Sequence, residues 1–228
     1  MAFSNEWELS YSNNTHLSIW PWSDLVSLFS RSVKQKMNQD YSELKVLELG
    51  VGAGANIPFF KKMGLQYFGI EGSETIVSEL KKNNPEISEN LILGDFTKHW
   101  EIENEIQFDY IIDRASITHN TTSDIIKVLE QAKNKLKTGG SIIGIDWFST
   151  KNYCYKLGIN CEDEYTKVAN VGYFAGLGNV HFSDLEHMNF LFKDFDIQHL
   201  SEKSINTFEP KSSNNETIAT WNIVAVKK

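Results

Sequence analysis

The sequence is poor in cysteine. Cys154 and Cys161 are its only two, and they form neither a C-x-x-C pair nor a disulfide framework. It has no apolar run approaching the roughly 18 to 20 residues that span a bilayer. Its opening, "MAFSNEWELS", lacks the apolar stretch of a secretory signal. The expected setting is therefore cytoplasmic, where the N-x-T triplets at Asn13 and Asn215 carry no glycosylation meaning. Blocks of basic residues are missing too: 22 Lys and Arg face 30 Asp and Glu, a net charge of −8. Such a surface repels phosphate backbones, which argues against nucleic acid or a membrane as partner and for a small-molecule acceptor, neutral or cationic. There is no internal repeat and no convincing linker, so residues 1–228 read as a single domain, working as a monomer or homodimer.

From Lys45 onward, short β-branched runs alternate with amphipathic segments: "KVLELG", "QYFGIEG", "NLILGD", "FDYIIDRA" and "GSIIGIDWF", separated by stretches such as "SETIVSELKKN" and "TSDIIKVLEQAKNKLKTGG". Strands apolar on both faces and divided by helices imply a parallel sheet covered on both sides, a doubly wound α/β domain. Ser73 opens one helix, and "KTGG" at 137–140 is expected to close another as a cationic last turn ended by glycine. Residues 149–182 are rich in glycine and aromatics without a sustained period, and read as an irregular substrate-side insertion with one short helix. A helix capped by Ser183 leads into "DIQHLSEKSIN" and "IATWNIVAVKK", joined by a loop too short for a crossover, so these two strands should pair antiparallel. The division is thus an N-terminal lid or helical segment at 1–40, a cofactor-binding core at 41–148, the insertion at 149–182, and a C-terminal helix with an antiparallel hairpin at 183–228.

The loop "LELGVGAGAN", Leu47 to Asn56, packs three glycines into five residues after the first strand. Gly50, Gly52 and Ala55 satisfy the G-x-G-x-x-A dinucleotide fingerprint, with Glu71 about 20 residues further on to take ribose hydroxyls. The glycines say that backbone must come close to a ligand. A nicotinamide-dependent oxidoreductase is one reading of this loop, and a non-catalytic cofactor-binding sensor or partner subunit is another. Glu48 inside the first strand, Asp95 with Phe96 after the third, and the closing hairpin point elsewhere. With "ELGVGAG" from Glu48 to Gly54, they make the chain resemble the class I S-adenosylmethionine-dependent methyltransferases.

That resemblance implies a Rossmann-like doubly wound sheet of seven strands with an antiparallel last strand, and S-adenosylmethionine as cofactor. It places Gly50, Gly52, Gly54 and Asn56 along the methionine and ribose, with Glu48 orienting the loop or the ammonium group. Glu71 and Gly72 fall at the ribose diol, Asp95 and Phe96 at the adenine, and Asp113, Arg114 and Ala115 in the segment facing cofactor and acceptor. The chemistry agrees: a sulfonium has no pyrophosphate, and four acids at strand ends would suit it better than a phosphate.

For catalysis, His119 is the candidate general base. Its structural alternative is bracing the loop before the helix at Thr122. Asp113 could bind the acceptor or hold the loop, and Arg114 could pair with it. His16 and His181 are weaker candidates for the base, and His16, Trp20, Trp22 and Tyr173 are candidate substrate contacts, since acceptor pockets are mostly apolar with few polar anchors. No metal is expected, Asp146 with Trp147 being only a partial match to a divalent-ion site. The acceptor reads as an O or N atom of a small polar metabolite, with a loose likeness to bacterial sugar, surface-polysaccharide or secondary-metabolite methyltransferases.

Overall fold

The computed structural model describes residues 5–13, 18–34, 41–208 and 216–228. Two helices come first, α1 (Asn5–Ser12) and α2 (Ser23–Lys34). The core then runs β1 (Lys45–Leu49), α3 (Ile57–Met63), β2 (Gln66–Glu71), α4 (Glu74–Asn83), β3 (Leu91–Leu93), β4 (Phe108–Arg114), α5 (Thr122–Lys135) and β5 (Leu136–Phe148). A small antiparallel sheet of β6 (Gly158–Asn160), β7 (Thr166–Ala169) and β8 (Asn179–His181) follows. The chain closes with α6 (Leu185–Leu191), β9 (Phe195–Asn206) and β10 (Thr217–Lys227).

The main sheet has seven strands in the order β3-β2-β1-β4-β5-β10-β9. The first five are parallel, and β10 lies antiparallel to both β5 and β9. Side-chain alternation on the strands feeds two cores. On β4, Ile111, and Phe108 from across a register shift, join Ile125, Val128 and Leu129 of α5 and Met188 of α6. Tyr110 and Ile112 point the other way, to Leu25 and Phe29 of α2, Phe60 of α3 and Leu80 of α4. The same alternation sends Asp113 and Arg114 to opposite faces, which decides their different fates below.

Three local expectations are corrected. The "KTGG" stretch is strand rather than helix: α5 stops at Lys135, and the register of β5 against β4 shifts between Phe108 and Tyr110. Gly140 is needed there because a Cβ would lie 2.9–3.1 Å from three backbone carbonyl oxygens. The cap of α6 is Asp184, not Ser183; its side chain accepts from the His187 amide at 2.8 Å. The insertion is not irregular: its strands surround a core of Cys154, Ala169, Phe174, Val180 and Phe182. Ser73 caps α4 as expected.

Candidate active site

A cavity opens along the C-terminal ends of β1 to β4, the rim where open α/β sheets take ligands. Its floor is the glycine loop. Gly50 has φ +70°, and a Cβ there would meet Ser116 Oγ at 2.1 Å, so the turn after β4 can lie directly on the loop. Gly52 also lines the cavity, and its amide donates to Glu71 Oε2 at 2.8 Å. Gly54 is the exception to the expectation of three lining glycines. Its missing Cβ makes room for Leu80 of α4, 2.6 Å from where it would stand, so it serves packing behind the loop.

On one side the lining includes Glu71, Gly72, Gly94, Asp95 and Phe96. Glu71 Oε1 accepts from the Ser73 amide at 3.0 Å. Backbone amides on both sides thus fix the carboxylate, whose two oxygens have four lone pairs between them and keep acceptor capacity for a ligand hydroxyl. Burial raises its pKa, partly offset by those amides. Asp95 Oδ1 accepts from Thr97 N and Oγ1 at 3.0 and 2.6 Å, which fixes the carboxylate beside Phe96.

At the floor, Glu48 accepts from Asn56 Nδ2 at 2.7 Å and from Tyr67 OH at 2.6 Å. Burial pushes this carboxyl up to about 7, the two donors pulling against it. Asn56 also accepts from the Trp22 amide at 3.4 Å, which joins the loop to the entry of α2. Trp22 in turn lies under Arg114, its ring centroid 3.6 Å from Cζ. Arg114 Nε donates to Asp146 Oδ2 at 3.3 Å, and Asp146 also receives Lys203 at 3.1 Å. Asp146 has φ +57° and its amide leaves the ladder for Asn222 Oδ1, at the point where β10 shifts register. Ala115, at φ +56°, is the other non-glycine residue in the left-handed region among those described; it too lines the cavity.

Of the two roles expected of Asp113, meeting the acceptor or holding the loop, the structure places it in the second. It is fully buried outside the lining: Oδ1 accepts from Ser116 N at 3.1 Å and Ile117 N at 2.9 Å, and Oδ2 from Trp147 Nε1 at 2.6 Å. Its burial lifts the carboxyl to about 7. The residue holds the turn that carries His119.

That turn brings His119 into the lining, where its ring meets Trp7 edge-on at 5.0 Å and Phe148 at 5.7 Å. Tyr173 and Phe174 of the insertion complete this wall. Trp20 does not take part; it is 75% exposed. His16 lies outside the described residues. His181 is buried away from the cavity among Thr122, Thr166 and Ser183. Among the described residues, no group of three or more His, Cys, Asp or Glu is placed to hold a metal ion.

Several lining residues escaped sequence reasoning. Trp7 and Tyr11 sit four apart on α1, a spacing visible in "WELSY". Phe148 ends β5, where the strand-end rule already applied. Asn120 follows His119 directly, inside the segment already singled out.

Strand order, glycine loop and acid-lined rim together define a class I methyltransferase fold with a cofactor cradle. The family described as a methyltransferase domain matches residues 46–140, from β1 into β5. Over that part the chain is similar to a methyltransferase domain, and its fold is the class I methyltransferase fold. No curated protein sequence matches it. Among solved structures it is similar to an S-adenosylmethionine-dependent methyltransferase from Methanosarcina mazei, with TM-score 0.64 and 15% identity over 85% of this chain and 96% of that one. It is similar to the CcbJ methyltransferase from Streptomyces caelestis, with TM-score 0.64 and 13% identity over 100% of both chains. Magnesium protoporphyrin IX methyltransferase from Synechocystis, solved with bound S-adenosylmethionine, shows TM-score 0.56 and 12% identity over 89% and 78%. At these identities the likenesses establish the fold.

The cavity suits that cofactor. Among the described residues three carboxylates line it, Glu48, Glu71 and Asp95, against one cation, Arg114, which is already paired with Asp146. This donor set fits a sulfonium and an ammonium group and opposes a pyrophosphate.

Proposed function

We propose that this chain transfers a methyl group from S-adenosylmethionine to an O or N atom of a small-molecule acceptor. The observation that carries the reading is one continuous cavity with two halves: an acid-lined glycine cradle, and an aromatic wall built from α1, the turn after β4, the end of β5 and the insertion. In this reading Glu71 and Gly72 hold the ribose hydroxyls, Asp95 and Phe96 the adenine, and Gly50, Gly52, Asn56 and Ala115 the methionine end. Glu48 acts through Asn56, fixing the amide against the loop. Arg114, clamped between Trp22 and Asp146, offers its remaining N–H groups to a carboxylate at that end.

The cofactor supplies an already activated methyl. What the protein adds is alignment and exclusion of water, worth roughly 7 to 11 kcal/mol in favourable systems. The aromatic wall excludes water, and His119 stands where it can take the proton an acceptor loses, worth roughly a hundredfold or more. Residues 1–40 would act as a lid, with α1 bringing Trp7 and Tyr11 over the cavity, and residues 149–182 as the acceptor-side wall. A sugar-like or other polar metabolite and a flat aromatic one make opposite demands on that wall. Incubation with S-adenosylmethionine and a mixed acceptor panel, read by mass spectrometry, tests the reading. Methylated product with formation of S-adenosylhomocysteine is expected, lost in Glu71→Ala and reduced about a hundredfold in His119→Ala. Cofactor binding without transfer to any acceptor would leave a sensor instead.

A further inference from the structure

Asn120 is 3% exposed and lines the cavity. Its Nδ2 donates to the carbonyls of Ser116 at 3.3 Å and Ile117 at 3.0 Å, which fixes the amide's orientation, and its Oδ1 has no partner among the described residues. Buried side-chain acceptors in this state are rare and call for a reason. The same cavity carries the aromatic wall that His119, next in sequence, packs against, with Phe148 and Phe174 centroids 4.6 Å apart and Tyr173 edge-on to Phe174 at 5.0 Å. A polyol entering this half would strip water from several hydroxyls and find few partners, which is costly. A flat ring carrying one N–H or O–H donor has its faces and its hydrogen bond both met.

We propose, resting on the methyltransferase reading above, that the acceptor is an aromatic or heteroaromatic primary amine whose N–H donates to Asn120 Oδ1. A phenol has a single proton, and the proton held by Asn120 would be the one that must leave. An aryl amine has two. One stays on Asn120, which keeps the nitrogen lone pair directed at the methyl group. That lone pair forms the N–C bond, the S–C pair remains on sulfur as it passes from sulfonium to thioether, and the second N–H proton leaves to His119. Such an amine is a weak base, so its lone pair is free at neutral pH without prior deprotonation.

The test is calorimetric titration of the protein saturated with S-adenosylhomocysteine, using 1-aminonaphthalene, its N,N-dimethyl form, 1-naphthol and glucose. In the native protein 1-aminonaphthalene should bind roughly tenfold tighter than the dimethyl form, about 1.4 kcal/mol. Asn120→Ala should erase that preference while S-adenosylhomocysteine affinity stays within about twofold. Where Asn120→Ala fails to fold, Tyr173→Ala, at a side chain 70% exposed, should weaken 1-aminonaphthalene by about fivefold and leave S-adenosylhomocysteine untouched. Equal binding of the two amines, or no binding of either, overturns the inference, as does faster methyl transfer to 1-naphthol or glucose with S-adenosylmethionine. Failure of S-adenosylhomocysteine itself to bind would instead sink the cofactor reading beneath it.

Discussion

Gly50 cannot carry a side chain, for two separable reasons: its φ of +70° and the Ser116 hydroxyl 2.1 Å from any Cβ. Gly50→Ala is expected to cost about 1–3 kcal/mol and to abolish cofactor binding. Adding Ser116→Gly should recover part of the stability, since it removes the clash and leaves the strained φ; no recovery in urea unfolding would mean that the contact is unimportant. Asp113→Ala strands three donors, two amides and an indole, and should cost about 3 kcal/mol or more. A variant near native stability would return Asp113 to the list of acceptor contacts. At this scale the place of Gly50, Gly52, Glu71 and Asp95 in the lining was legible because the chemistry of a cofactor loop dictates residue types at fixed offsets, and that of Trp22 because acceptor pockets favour aromatics. Gly54 was misplaced, and the two roles open to Asp113 could not be told apart, because both depend on what packs behind them, Leu80 and Trp147, and no local pattern announces a neighbour 26 or 34 positions away.

Among the elements, α1 is set over the cavity. Tyr11 reaches the glycine loop, with its hydroxyl 3.1 Å from where a Cβ on Gly52 would stand. Burial and the neighbouring Glu71 hold that phenol well above its ordinary pKa. Deleting residues 1–13 should leave the fold intact, because α2 keeps Leu25 and Phe29 in the core. It should weaken S-adenosylhomocysteine by about tenfold in calorimetry. Unchanged affinity would remove α1 from the site. The main strands and α4 were readable from period and caps. The strands of the insertion were not: at three or four residues each, β6, β7 and β8 are too short to show alternation, and their pairing is set by contact with one another. The end of α5 was misread for a related reason: "KTGG" offers a helix stop and a strand bulge alike, and the pairing with β4 chooses.

In the molecule as a whole the small sheet meets the start of α5 and α6 at a pair of histidines, His181 and His187, whose ring centroids are 5.0 Å apart. His181 of β8 is held neutral, its pKa pushed down to about 3 by burial and by His187, against the pull of Asp163. His187, stacked on Tyr165 at 3.7 Å, is lowered as well, with Asp163 and Asp184 opposing. The sign follows from which state binds the proton. Below about pH 6.5 the unfolded chain protonates at His181 and the native one does not, so this site's stability is whole above that pH and falls by about 1.4 kcal/mol per unit as the pH drops toward 3. Urea unfolding of the native chain and His181→Gln at pH 5 and pH 7 should show a smaller acid loss in the variant; equal losses would contradict the burial of a neutral imidazole. At this scale the sheet order and the rim that holds the cavity were legible. The histidine junction was not, because Thr122 of α5 and residues 163–166 come to His181 and His187 only through the tertiary fold.

The central claim is that the acid-lined glycine cradle holds the adenosyl cofactor. Its most direct test is calorimetric titration with S-adenosylhomocysteine and, separately, NADH, on the native chain and on Glu71→Ala and Asp95→Ala. The account predicts binding of S-adenosylhomocysteine, weakened about tenfold or more in both variants, and none of NADH. Binding of NADH in its place, or S-adenosylhomocysteine affinity indifferent to both carboxylates, would contradict it.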